Sequence, residues 1–145
     1  MNKLLKLTSL LLLCTGLASA ETWLTSWDQA VAQSKKTGHP ILMDFTGSDW
    51  CIWCQKLKKE VFSTPEFQAW ADKNVILLEL DYPRSVPQSE AVKKQNAELA
   101  QKYNIEGYPT ILIVDATGKV KAQTGYEKGG PAAWISSTEK LMKNK

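Results

Sequence analysis

Two cysteines separated by two residues, Cys51-Ile52-Trp53-Cys54, are the side chains best suited to do chemistry in this chain. Cysteine reacts as its thiolate, which forms near neutral pH where a positive field stabilises it. The pair follows an apolar run and opens a segment with helical spacing, so Cys51 falls at a helix start. Unpaired N–H groups and the helix dipole favour an anion there. Cys54, three residues on and inside the helix, is close enough to close a disulfide and is the more buried of the two. Two such thiols can exchange two electrons with another disulfide. Plainer readings compete. A purely structural disulfide closing so short a loop constrains the unfolded chain little. Half of a zinc site needs two more ligands, and only His39 and carboxylates remain. A pair of inert buried thiols is the third.

The surrounding elements must hold that pair in place. Ser26-Trp27-Asp28-Gln29 fits a capping box opening a helix to about Lys36, stopped by Gly38. Ile41-Leu42-Met43-Asp44-Phe45 is a short apolar run between turn residues and reads as a buried strand. Residues 51–62 have helical spacing, with Trp53, Leu57 and Val61 on the inward face and Lys56, Lys58 and Lys59 toward water. Thr64-Pro65 predicts a capped helix to about Lys73, with Phe67, Trp70 and Ala71 as its apolar stripe. Residues 75–80 are nearly continuously apolar, as in a strand covered on both faces. A long helix over about 89–103 turns Val92, Leu99 and Tyr103 inward, and strands 111–114 and 120–124 flank a hairpin turn, Asp115-Ala116-Thr117-Gly118-Lys119. Gly130-Pro131 opens a last helix, with Trp134, Ile135, Thr138 and Met142 inward. This order predicts an α/β layer structure in which parallel strands come first and an antiparallel hairpin closes a mixed sheet.

The chain has 145 residues, a single-domain length, with 43% apolar and 23% charged residues. Eighteen basic residues against 15 acidic ones give +3, too little for affinity built on neutralised phosphates, so no nucleic-acid partner is expected. Residues 1–20 read as a secretory signal. Lys3 and Lys6 form a basic start, Leu10 to Leu13 an apolar centre, and Ala18-Ser19-Ala20 a cleavage site before Glu21. The uncleaved alternative is a membrane anchor. Residues 21–145 then form one domain carrying only Cys51 and Cys54 as cysteines. Export favours oxidation, which weighs against inert thiols and toward a redox-active pair.

The segments around the cysteines resemble the thioredoxin fold over nearly all of the mature chain. Ile41 to Phe45 is similar to that family's central strand with its buried aspartate. Trp50-Cys51-Ile52-Trp53-Cys54 is similar to its tryptophan-led active-site motif, and Ile105-Glu106-Gly107-Tyr108-Pro109-Thr110 to the segment carrying its cis-proline. The export signal, Phe45-Thr46-Gly47-Ser48-Asp49-Trp50 and Gly125-Tyr126-Glu127-Lys128-Gly129-Gly130-Pro131 look like the exported reductase branch that includes the DsbD C-terminal domain and small DsbH-type proteins. The resemblance implies that Cys51 attacks a protein disulfide, that Cys54 resolves the mixed disulfide, and that Asp44 takes the Cys54 proton through water. It also implies a cis Tyr108-Pro109 bond beside which the Tyr108 backbone can pair with an extended substrate. Trp50 and Trp53 are candidates for an apolar rim that meets unfolded chains; the plainer reading packs one or both into the core, Trp53 the more so because it shares the stripe of Leu57. Electrons would come from a membrane-embedded donor of the DsbD type, since the chain has no cofactor motif and no metal site is expected.

Three departures from the family pattern bear on function. The loop from Asp44 to Cys51 is one residue longer than in ordinary thioredoxin. Leu77 stands where a lysine often partners the buried aspartate. The dipeptide Ile52-Trp53 lacks the histidine that stabilises a strongly oxidising thiolate, which favours a reducing or intermediate potential. With the export signal, the expectation is a periplasmic reductase of protein disulfides, acting as a monomer. The rival readings are a disulfide-forming oxidase and a binding or chaperone-like module without turnover.

Overall fold

The computed structural model describes residues 22–144. The export-signal reading for residues 1–20 lies outside the described residues. Five α-helices and four strands follow in chain order: α1 (Trp27–Thr37), β1 (Ile41–Thr46), α2 (Ile52–Leu57), α3 (Pro65–Asn74), β2 (Ile76–Asp81), α4 (Glu90–Lys102), β3 (Thr110–Val114), β4 (Val120–Thr124) and α5 (Gly130–Lys143). The sheet order is β2-β1-β3-β4, with β1 and β2 parallel and the other pairings antiparallel. This is the thioredoxin fold, a mixed sheet between two helical layers.

Local signals set the element ends. Ser26 Oγ accepts the Gln29 N–H, Thr64 Oγ1 that of Phe67, and Ser89 Oγ that of Val92, so each helix starts where a short oxygen side chain satisfies an end amide. Gly38 ends α1 in the left-handed conformation at φ 78°, donating its N–H to Ser34 O. In the hairpin, Asp115 accepts amides from Thr117 and Lys119, and Gly118 turns the chain at φ 85°. The outer edge of β2 is partly paired: Leu24 donates to Leu77 O and accepts from Glu79 N.

Strand alternation divides the core in two. Leu42, Leu77, Ile111 and Ile113 meet Leu57, Val61, Phe67 and Trp134, while Ile41, Met43, Phe45 and Leu78 meet Ala30 and Leu99 on the other side. Trp134 is fully buried, touches the rings of Phe62, Phe67 and Trp70, and donates Nε1–H to Gly125 O. Trp23, Trp27 and Trp70 pack half-buried against these clusters.

Two expectations are corrected around residues 51–62. The helix is not uniform: after α2, Lys58–Phe62 widen into a π-helical turn, a local form that often accompanies functional sites. Trp53 is also not on the inward face, being 48% exposed. The buried set here is Cys54, Leu57, Val61 and Phe62. An i, i+4 stripe drifts around the helix at every step, so extrapolating back from Val61 and Leu57 overshoots the face by one position. Replacing these two tryptophans should therefore give losses of very different size. Trp134→Ala is expected to lose about 3–5 kcal/mol of stability in denaturant unfolding, and Trp53→Ala less than about 1 kcal/mol.

Candidate active site

Between β1 and α2 the chain makes a tight loop over residues 47–50, and its hydrogen bonds explain how the cysteines are held. Cys51 N–H donates to Gly47 O at 2.9 Å. Ser48 donates both its N–H and its hydroxyl to the Asp81 carboxylate, at 2.9 and 2.5 Å. Asp49 accepts the amides of Arg84 and Ser85, which hold its carboxyl below the ordinary value. The longer loop read from the sequence is thus tied by two aspartates to the end of β2 and the segment after it. A Cβ on Gly47 would overlap the Trp50 indole, so glycine is what lets that ring lie against the loop.

Cys51 is the N-cap of α2: its backbone is extended and its Sγ accepts the Cys54 N–H at 3.2 Å. Cys51 and Cys54 are joined as a disulfide, with Cα atoms 5.2 Å apart. Cys54 Sγ accepts the Gly47 N–H at 3.5 Å. Exposure differs little, 6% against 4%, so what separates the two sulfurs is hydrogen bonding to the helix start rather than depth.

Aromatic side chains surround the pair. Trp50 donates Nε1–H to Tyr82 O, meets Tyr108 edge-on at 5.7 Å, and carries the Arg84 guanidinium 4.2 Å from its ring centre. Tyr108 also contacts Tyr82, and the Tyr108–Pro109 bond is cis, as the resemblance implied. On the other flank Trp53 packs against Tyr126 at 5.1 Å, with Lys56 Nζ over both rings. Ile52 is 62% exposed. Lys56 therefore lies along aromatic faces, not simply in water.

Asp44 is buried in β1, opposite Glu79 of β2 and Ile111 of β3. Burial first, then the Glu79 charge, pushes its carboxyl from 3.8 up to about 8; the Asp81 charge adds to this, and Lys58 opposes it. Sequence reasoning sought a cation for this carboxyl on β2 and found Leu77. The cation comes instead from the π-helical turn: Lys58 Nζ lies 3.9 Å from Glu79 Oε2. The sequence pattern assigned Lys58 to solvent because 65% of its side chain is indeed exposed. Glu79 and Lys58 were not identifiable beforehand, since only the strand register and the turn bring them together. Among the described residues no group of three or more His, Cys, Asp or Glu gathers to hold a metal.

The sequence and the fold are similar to those of known proteins. The thioredoxin-like domain family matches residues 27–134. The chain is 35% identical over 127 residues to "Disulfide bond reductase DsbH" of Chlamydia pneumoniae, covering 88% of this chain and 76% of that one. It is 35% identical over 96 residues to "Thiol:disulfide interchange protein DsbD" of Klebsiella pneumoniae, covering 66% of this chain but only 14% of that longer protein. A solved structure titled "DsbH Oxidoreductase" superposes with a TM-score of 0.82 at 32% identity, covering 100% of this chain and 96% of that one. By sequence, fold and cysteine pair, the chain belongs to the thioredoxin-like family of Dsb-type disulfide oxidoreductases.

Proposed function

We propose that this protein is exported, with residues 1–20 as its signal and 21–145 as its working domain, and that it reduces protein disulfides in the periplasm as a monomer. The observation that carries the reading is Cys51 at the N-cap of α2, bonded to Cys54 and accepting that residue's amide. In the reduced protein the same amide and the helix dipole stabilise a Cys51 thiolate. That thiolate attacks a substrate disulfide, one substrate sulfur leaves with the electron pair, and a mixed disulfide forms. Asp44 then takes the Cys54 proton, and the Cys54 thiolate attacks Cys51 Sγ, releasing the second substrate thiol and closing Cys51–Cys54.

Trp50, Tyr108 and Pro109 form one wall for an extended substrate chain, whose backbone pairs beside Tyr108. Two electrons per cycle must be returned to the disulfide. The likeness to the DsbD segment supports a membrane-embedded donor of that type. The reducing direction is supported by the absence of histidine between the cysteines and by the name of the Chlamydia relative.

Insulin reduction by dithiothreitol tests the core of this reading. The protein should accelerate it, Cys51→Ser should return the rate to background, and Cys54→Ser should accumulate a mixed disulfide with the substrate. Full activity in Cys51→Ser refutes the reading. Equilibration against glutathione tests direction, since a potential of about −120 mV would mark an oxidase. Client capture that survives loss of both cysteines, without turnover, would mark a binding module.

Asp44 gives a separate prediction with a defined sign. Its unfolded carboxyl titrates near 3.8 and its folded one near 8. Between these values the unfolded chain has released a proton that the folded chain still holds, so stability falls as pH rises through this window. Asp44→Asn is therefore expected to stabilise the oxidised protein by up to roughly 4 kcal/mol near pH 7, a gain that vanishes toward pH 4. The same variant should slow resolution of the mixed disulfide by up to about 100-fold and remove its rise with pH. Urea unfolding and stopped-flow exchange, each as a function of pH, check the two halves.

A further inference from the structure

Asp44 Oδ1 is buried and meets no hydrogen-bond partner among the described residues. An orphaned carboxylate oxygen in a strand interior is costly unless water or a second polar group answers it. The Asp44 side chain also lines a cavity of about 160 Å³, bounded with it by Trp23, Lys58, Phe62, Gln68 and Glu79. Each water in the liquid occupies roughly 30 Å³, so the space holds several waters, and its polar walls can bind them. Glu79 stands directly across the β1–β2 pair from Asp44, with 27% of its side chain exposed. Burial raises the Glu79 carboxyl as well, with Lys58 opposing and Asp81 adding.

The charges that bear on Asp44 come from few elements. β2 supplies Glu79 and Asp81, and the π-helical turn supplies Lys58. β3 presents Ile111 in register, and the cavity's contributions from α3 and from the segment before α1 are the neutral Gln68 and Trp23. One cation thus stands beside two carboxylates that face each other across a single strand pair. Ionising both puts like charges in a half-buried space, and they must titrate together.

We propose that Glu79 and Lys58 are positioning residues for proton transfer: Asp44 and Glu79 share one proton through the cavity water, and Lys58 balances the one negative charge that remains. This rests on reading Asp44 as the acceptor for Cys54. When Cys54 loses its S–H proton, the carboxyl pair takes it up, and the thiolate breaks the Cys51–substrate bond. The pair then returns one proton to bulk water on the exposed Glu79 side. No electrons pass through the carboxyls.

The test follows the pH dependence of mixed-disulfide resolution, together with titration of the Asp44 carboxyl by ¹³C NMR in the full-length reduced protein. Glu79→Gln removes a like charge and should move both midpoints down by about one pH unit. Lys58→Met removes the cation and should move them up by a similar amount. The double variant should fall between them, and in an Asp44→Asn background neither substitution should restore a rise of the rate with pH. Unmoved midpoints in both single variants, or shifts in the same direction, overturn the proposal. If Asp44→Asn itself leaves the kinetic profile unchanged, the acceptor reading fails instead; the NMR titration still decides whether the two carboxyls and Lys58 are coupled. Lys58 is largely exposed, so its variant tests the electrostatics even if Glu79→Gln disturbs the strand pair.

Discussion

A sulfur occupies the position that an oxygen side chain takes at three other helix starts in this protein. Ser26, Thr64 and Ser89 each accept an end amide of the helix they open, and Cys51 does the same for α2. The hydroxyls stabilise the helices they open. At Cys51 the same geometry sets an electron-rich, reactive atom against a positive field. Everything else at the site maintains that placement. β1 runs up through the centre of the sheet, residues 47–50 turn the chain, and Asp81 and Asp49 secure the turn from both sides.

Most of this was legible in the sequence because its causes are local. Helix starts follow from single capping residues, the hairpin from Asp115 to Lys119, and the buried strand from a five-residue apolar run. The cysteine spacing reports its own disulfide geometry, because residues three apart at a helix start are already within reach. The antiparallel pairing of β1 with β3 was less visible, since a central strand is apolar on both faces and carries no mark of its neighbours' direction. Trp53 misled because periodicity locates a helical face only to within a residue or so at a helix end. The surroundings of Asp44 were hidden for a different reason. Glu79 is 35 positions away and Lys58 is 14, and only strand register and the widened turn bring them near the carboxyl.

At Asp44 the cost of burial and the proposed proton-accepting role pull in opposite directions within one side chain. A neutral or apolar residue would suit the middle of β1 better, as its neighbours Met43 and Phe45 illustrate. A carboxyl kept there binds its proton so firmly that it ionises only near the pH at which a thiol also does. In the proposed reaction, comparable affinities would let a proton pass either way with little free-energy change.

Gly47 and Trp50 carry a consequence for how this surface can vary. The indole fills the volume that any side chain at position 47 would require, while the amide of the same glycine meets the Cys54 sulfur. The two positions are therefore sterically coupled: a side chain at position 47 displaces the indole or reshapes the turn. The rest of the rim is sterically freer, since Ile52 and Trp53 stand exposed on the far side of the cysteines from that bend.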